Sequence, residues 1–270
     1  MKKFIFKVLI LALAGVLVAC GGKDKSGDEK SLKLGATPGP YSDMLTKAII
    51  PELEKKGYKI EVTEFSDYVQ PNNALNSKSI DANLFQHIVY LENFAKENKM
   101  ELTDLISVPT APLGIYSEKY KSLDEIEDGS KITIPNDPVN AARTLLTLQE
   151  LGLIEIDGDV DPIKSSEKDV TVNHKNLVFQ PIEAGQLPVS VKNTDLAAVP
   201  GNFAIAAKMN LLDALALENM PDQFRNVVAV RTEDKDKQFA KDIIEIIQSA
   251  EFEKVIDAEF EGFGKPEWMK

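Results

Sequence analysis

The sequence predicts an α/β fold in two parts, on three observations. Short apolar runs alternate with segments of helical spacing through the body of the chain. A second set of such units starts near Leu113-Gly114-Ile115-Tyr116. Capping residues follow the strand candidates directly, as in Asn136-Asp137-Pro138 after residues 131–135, where Asp137 can cap a helix and Pro138 fits its first turn. Strands and helices at this spacing make β-α units and a largely parallel sheet.

Met1-Lys2-Lys3 is a basic start, and residues 4–19 are apolar except for Lys7. The run falls short of the roughly 20 apolar residues of a membrane-spanning helix. A charged start, an apolar middle and small residues before Cys20 describe a cleaved secretory signal over residues 1–19. Cys20 is the one cysteine, so no disulfide forms within the chain. Residues 21–31 read GGKDKSGDEKS, without an apolar side chain, and with Cys20 they make a flexible tether over 20–31.

The body then reads in order. Residues 32–36 are a strand ending at Thr37-Pro38-Gly39-Pro40. Met44, Leu45, Ala48 and Ile49 have helical spacing, with Ser42 as the expected N-cap and Gly57 as the stop. Residues 59–65 are a strand, 69–76 a short helix and 80–83 a strand, and a helix runs from about residue 87 to about residue 96. In the second part, 131–135 is a strand, and the helix after it carries Val139, Ala142, Leu145, Leu146 and Leu148 on its apolar face. Residues 195–199 and 226–230 are strands, and a helix runs from about residue 235 to about residue 248. The tail 262–270, with Trp268, is expected to dock on the body.

The formal net charge is −12, and Lys2, Lys3 and Lys7 leave with the signal, so the mature chain is more acidic still. That excludes nucleic acid as a partner, because phosphates need basic patches. It also excludes polybasic attachment to a membrane surface. Catalytic signatures are missing. His87 and His174 stand far apart, and no H-E-x-x-H, Gly-x-Ser-x-Gly or phosphate-cradling glycine loop occurs. No metal, cofactor or catalytic residue is expected.

In open α/β sheets ligands bind beyond the carboxyl ends of the strands. Tyr68 follows the strand ending at Phe65, and Phe85 and His87 follow the strand at Ala82. Asn140 and Arg143 lie on the first turns after Ile134, and Asn202 and Phe203 follow Val199. Arg143 is the one arginine before Val191 and is expected to be a solvated cleft residue whose loss the fold survives.

Three stretches together resemble the methionine-binding lipoproteins, the substrate-binding components of a bacterial methionine importer. They are Glu64-Phe65-Ser66-Asp67-Tyr68-Val69-Gln70-Pro71-Asn72, continuing to Asp81-Ala82-Asn83-Leu84-Phe85-Gln86-His87; Ile134-Pro135-Asn136-Asp137-Pro138-Val139-Asn140-Ala141-Ala142-Arg143; and Leu196-Ala197-Ala198-Val199-Pro200-Gly201-Asn202-Phe203-Ala204. Leu17-Val18-Ala19-Cys20 resembles the lipobox of bacterial lipoproteins, whose cysteine receives lipid (palmitate among its chains) once the signal is cut.

The resemblance implies a two-lobed periplasmic-binding-protein fold, type II-like, with the ligand in a cleft between the lobes and two crossover segments joining them. One lobe would comprise residues 32–110 plus 224–270 and the other 111–223. It implies that Tyr68, Phe85, His87 and Tyr90 face the ligand, that Arg143 takes its carboxylate, and that Asn226 is a further contact. Physical chemistry agrees. A guanidinium matches a carboxylate, a neutral histidine or an amide oxygen accepts from an ammonium, and aromatic faces suit a thioether. The family carries an asparagine three residues before the aromatic at Phe203, where this chain has Pro200, and Asn202 is the expected substitute.

The implied function is that of a lipid-anchored binding protein on the extracytoplasmic face of the cell membrane. It would act as a monomer that delivers an amino acid, L-methionine foremost, to an ABC permease and its ATPase. Two alternatives stand beside it: an extracytoplasmic enzyme on the same fold, and a surface lipoprotein that binds another small amino acid or peptide or serves adhesion or sensing.

Overall fold

The computed structural model describes residues 30–270. Cys20, the signal and most of the tether lie outside the described residues. The chain runs β1 (Lys30–Ala36), α1 (Pro40–Met44), a π turn (Leu45–Ile49), α2 (Ile50–Lys55), β2 (Tyr58–Glu64), α3 (Gln70–Asn76), β3 (Ala82–His87), α4 (Ile88–Asn98) and β4 (Leu102–Ser107). It crosses to β5 (Gly114–Tyr116), β6 (Lys131–Pro135), α5 (Pro138–Glu150), β7 (Ile154–Ile156), β8 (Val170–Asn173), β9 (Val178–Ile182), α6 (Leu187–Ser190), β10 (Leu196–Val199), α7 (Gly201–Ala206) and β11 (Ala216–Leu217). It returns through β12 (Asn226–Arg231) to α8 (Gln238–Ile247) and α9 (Ala250–Glu259).

Two five-stranded sheets result, in the orders β2-β1-β3-β12-β4 and β11-β5-β10-β6-β9. A small antiparallel pair, β7-β8, flanks the second. The sheets are mixed, where the alternation of strands and helices predicted largely parallel ones. β1 pairs in parallel with β2 and β3, but β12 is antiparallel to both β3 and β4. In the second sheet β6 is parallel to β9 and β10, whereas β5 is antiparallel to β10 and β11. The strands that reverse direction are those the chain uses on crossing over. β5 receives the chain from the first sheet, and β12 brings it back.

Each sheet has its own core. Leu32, Leu34, Met44, Leu53, Val228, Ile243 and Phe252 belong to the first, where α1, α2, α8 and α9 cover the strands. Leu113, Ile132, Ile134, Leu145, Leu148 and Leu196 belong to the second. No helix among the described residues is long and apolar enough to cross a membrane.

Two local expectations need correction. β1 starts at Lys30, so Lys30 and Ser31 pair with Tyr58 and Lys59 instead of belonging to a tether. Ser42 is not an N-cap: Pro40 sits at the first helical position and moves the start forward, leaving Gly39 as the cap at φ 91°. Pro51 accounts for the π turn just before it, because a proline within a helix lacks the N–H for the usual hydrogen bond and crowds the carbonyl four residues back. Asp137 caps α5 as expected, its carboxylate accepting the Asn140 N–H at 2.8 Å. The C-terminal tail docks through the Trp268 indole N–H to the Ser107 carbonyl at 3.0 Å.

The two crossovers, residues 108–113 and 218–225, run side by side. Val108 N–H donates to the Asn226 carbonyl at 2.7 Å, Asn226 N–H to the Thr110 hydroxyl at 2.7 Å, and Glu218 N–H to the Leu113 carbonyl at 2.8 Å. Gly201 opens α7 against this junction, where a Cβ would stand 2.4 Å from the Pro112 carbonyl oxygen. The carboxyl ends of β1, β2 and β3 therefore face those of β6 and β10 across a narrow gap.

Candidate ligand-binding cleft

A small cavity occupies that gap, with about 330 Å³ of space between its walls when the adjoining open solvent is included. The first half of the chain supplies its aromatic wall. Tyr68 stands in the loop after β2, where the Asp67 carboxylate accepts the N–H groups of Val69 and Gln70, each at 2.8 Å, and fixes the turn. Phe85 and His87 are on β3 itself, not after it as the sequence suggested. Being two residues apart, they share one face of the strand. Tyr90 follows on the first turn of α4. The rings of Tyr68, Phe85 and Tyr90 meet at centroid distances of 5.8 to 6.1 Å, tilted or edge-on as aromatic quadrupoles prefer. Val139 joins this cluster from α5 on the other side of the gap.

The second wall is polar. Asn140 and Arg143 are three residues apart on α5 and so share a face. Asn202 sits on the first turn of α7. Its side-chain oxygen accepts from the Tyr68 hydroxyl at 2.8 Å, and its amide approaches the Thr37 hydroxyl at 3.5 Å. The cleft is thus closed over by contacts between its two walls. Asn226 opens β12 in register with His87, and its side-chain amide has no hydrogen-bond partner among the described residues.

His87 is neutral. Burial, reinforced by the positive charge of Arg143, pushes its pKa down to about 3. Its Nδ1 accepts the Tyr90 N–H at 3.2 Å, so the ring proton resides on Nε2 and points to the Asn140 Oδ1 at 3.2 Å. The Asn140 amide in turn donates to both Asp137 carboxylate oxygens at 3.1 Å. Both ring nitrogens are therefore engaged, and the expectation that His87 accepts a hydrogen bond from an ammonium does not hold. His87 instead bridges the two walls.

Arg143 differs most from expectation. It is 4% exposed, not solvated. Glu218 holds it as a fork, Nε to Oε1 at 2.7 Å and Nη2 to Oε2 at 2.6 Å. The Phe224 ring lies 5.2 Å from its guanidinium carbon. Burial works against the charge, and the Glu218 carboxylate more than offsets this, holding the guanidinium pKa above its usual range. Nη1 makes no hydrogen bond among the described residues. Arg143 stands between the cavity and a second groove and lines both, while Glu218 lines only the groove, with Thr147, Asn219 and Phe224.

Of the sequence candidates, Tyr68, Phe85, His87, Tyr90, Asn140, Arg143, Asn202 and Asn226 line one cavity. Phe203 does not; it packs behind Tyr68 at 5.0 Å between ring centroids, in the core of the second half. Pro200 does line the cavity, beside Gly201.

A family model described as NlpA lipoprotein matches residues 32–268. The chain belongs to the NlpA lipoprotein family. Within that family it is 36% identical over 270 residues to the methionine-binding lipoprotein MetQ of Bacillus subtilis (strain 168), covering 97% of each. The structure of a nutrient-binding protein from Burkholderia cenocepacia bound to methionine matches with a TM-score of 0.81 at 36% identity, over 86% of this chain and 97% of that one. An ABC transporter periplasmic substrate-binding protein from Coxiella burnetii matches with a TM-score of 0.79 at 32% identity, over 84% and 96%.

The cleft of this NlpA lipoprotein also contains residues that sequence reasoning missed. Tyr41, Gln86, Thr110 and Ala111 line it, and Glu218 stands behind Arg143. Tyr41 follows the strand-end loop after β1, so the rule that found Tyr68 could have found it. Nothing in the local sequence marks Glu218, which lies 75 residues from its partner.

Proposed function

We propose that this chain is the binding component of an ABC importer, anchored by lipid on Cys20 to the extracytoplasmic face of the cell membrane. It captures an amino acid, methionine foremost, and acts as a carrier with no catalytic step. One lobe comprises residues 32–110 with 224–270, the other 111–223, with the ligand enclosed between them. The observation that carries this reading is a small cavity whose aromatic wall faces a buried arginine that keeps one terminal nitrogen without a hydrogen bond. A carboxylate at Arg143 Nη1, an ammonium at the Asn226 amide oxygen and a thioether against Tyr68, Phe85 and Tyr90 match the three parts of methionine. Asn140 and Asn202 act as bridges between the walls, and Phe203 supports Tyr68. The methionine-binding names of its relatives, the methionine-bound structural neighbour and the lipobox at Cys20 support the same reading.

The test is calorimetry of the mature protein with L-methionine, D-methionine and a panel of other amino acids, after denaturation and refolding to strip any bound ligand. The material released on denaturation is identified by mass spectrometry. Saturable 1:1 binding of methionine, or methionine among the released material, is expected. An empty protein that binds none of the panel contradicts the reading. Cys20→Ala is expected to release the protein from membranes or leave it uncut, as fractionation would show.

A further inference from the structure

A buried arginine that recognises an anion has to be held still before the anion arrives. The arrangement behind Arg143 does this with three fixed groups. Glu218 takes Nε and Nη2 together, which removes rotation about the end of the side chain and directs the remaining nitrogen, Nη1, away from Glu218. The Phe224 ring covers one face of the guanidinium. Glu218 is itself pinned, since its Oε2 also accepts the Leu113 N–H at 3.0 Å and its own N–H donates to the Leu113 carbonyl. Leu113 ends the first crossover, and Thr110 and Ala111 of that crossover line the cavity. The Glu218 side chain is 2% exposed and reaches Arg143 from the side opposite the cavity.

We propose that Glu218 is a positioning residue for ligand binding: it never touches ligand, but holds Arg143 so that its Nη1 end is offered to a carboxylate, and it ties that offer to the crossover strand. The proposal rests on reading the cavity as an amino-acid site. Without Glu218 the guanidinium has an alternative place to go. The groove behind it, lined by Thr147, Glu150, Asp161 and Asn219, encloses about 740 Å³ including open solvent and holds two further carboxylates. A freed Arg143 turns towards those carboxylates and water, and away from the cavity. A second consequence concerns selectivity. Glu218 takes the Nε–H and one Nη2–H, so Arg143 meets the ligand with its Nη1 end, opposite that fork, and the aromatic wall supplies the shape discrimination.

The experiment is a double-mutant cycle read by calorimetry with L-methionine, on the wild type, Glu218→Ala, Arg143→Ala and the double variant. Such a cycle isolates a residue that acts through another. Glu218→Ala is expected to weaken binding tenfold or more in the wild-type background and less than threefold when Arg143 is already alanine. A purely structural role would weaken binding equally in both backgrounds, and that result overturns the proposal, as does a Glu218→Ala variant that binds as tightly as wild type or tighter. If Glu218→Ala does not fold, Glu218→Gln takes its place in the cycle with the same criteria; it keeps the Nε contact and loses the charge. Should the wild type fail to bind L-methionine, the amino-acid reading falls and takes this proposal with it. If the wild type binds and Arg143→Ala binds equally well, the carboxylate assignment has failed independently of Glu218.

Discussion

Arg143 and Arg231 are both buried and both paired with acids, yet their surroundings differ. Arg231, on β12, donates through Nη1 to the carbonyls of Leu75 and Ile80 at 2.8 and 2.7 Å, and its other nitrogens pair with Asp81 and Asp234. Its Nε lies at ion-pair distance from Asp234 without a hydrogen bond, and the effect of the whole set is to staple the end of β12 to the loop before β3. Arg143 has its Nε and Nη2 taken by Glu218 and its Nη1 left without a partner at the wall of a cavity. Burial and pairing alone therefore do not distinguish an arginine that staples the fold from the one proposed to bind ligand. On the proposed reading the difference is one of place: Arg143 keeps a donor without a hydrogen bond at a cavity wall, where a ligand can meet it, and Arg231 is enclosed by protein groups.

Removing each arginine separates the two roles. Arg231→Ala leaves the buried Asp234 with Lys237 as its remaining cationic partner and frees the carbonyls of Leu75 and Ile80. It is expected to cost about 3–5 kcal/mol of stability in urea denaturation, while the folded fraction keeps wild-type affinity for ligand. A stable Arg231→Ala protein with damaged binding would break the comparison. Arg143→Ala is expected to lose at least about 2 kcal/mol of binding in calorimetry. Because Glu218 is then left buried and alone, the fold is weakened too, contrary to what a solvated arginine would predict. Combining it with Glu218→Ala should restore part of the stability and none of the binding. Arg143→Lys should also bind more weakly, since one ammonium cannot hold Glu218 as a fork and meet the ligand as well.

The field of Arg143 also reaches His87, and a pH titration of stability sharpens the point. The folded pKa of His87 is depressed to about 3 from an ordinary 6.5. Below pH 6.5 the unfolded chain binds a proton that the folded chain does not, so stability falls as the solution is acidified from 6.5 towards 3. The slope is about 1.4 kcal/mol per pH unit within that window, and the contribution is fully present above 6.5. His87→Asn should remove that part of the slope in urea melts between pH 6.5 and 4.5. Unchanged slopes would mean that His87 is charged or exposed in the folded protein. The smallest effect belongs to the bridge between the walls. Tyr68→Phe deletes the hydroxyl that donates to Asn202 and keeps the ring. It should weaken ligand binding by about 1 kcal/mol in calorimetry, and no change would remove Asn202 from the closing contacts.

The sequence made the fold class legible because strand and helix periods differ and the breaks between them are marked by residues such as Asp137, Pro138 and Gly57. It did not make strand direction legible. Apolar runs such as residues 226–230 announce a strand, but whether β12 lies antiparallel to β3 is decided by the crossovers, which carry no period. Within the site, residues placed by one local element were readable: Tyr68 by the turn at Asp67, and Asn140 and Arg143 by the capped start of α5. What depended on a distant partner was not. The burial of Arg143 comes from Glu218 and Phe224, and the engagement of both His87 nitrogens comes from Asn140 on the opposite wall. Phe203 was misplaced for a related reason. Following a strand end puts a residue near the cleft, but the helical turn it occupies decides whether it faces the gap or the core.

The central claim is that Arg143, held from behind by Glu218, receives the carboxylate of an amino acid whose side chain lies on the aromatic wall. A crystal structure of the mature protein grown with L-methionine tests it most directly. The expected result is a ligand carboxylate oxygen within hydrogen-bond distance of Arg143 Nη1, the Arg143–Glu218 fork intact, and the thioether among Tyr68, Phe85 and Tyr90. A ligand bound elsewhere, or turned so that its carboxylate meets another group, or a Glu218 swung out of its fork to make room, would contradict the account.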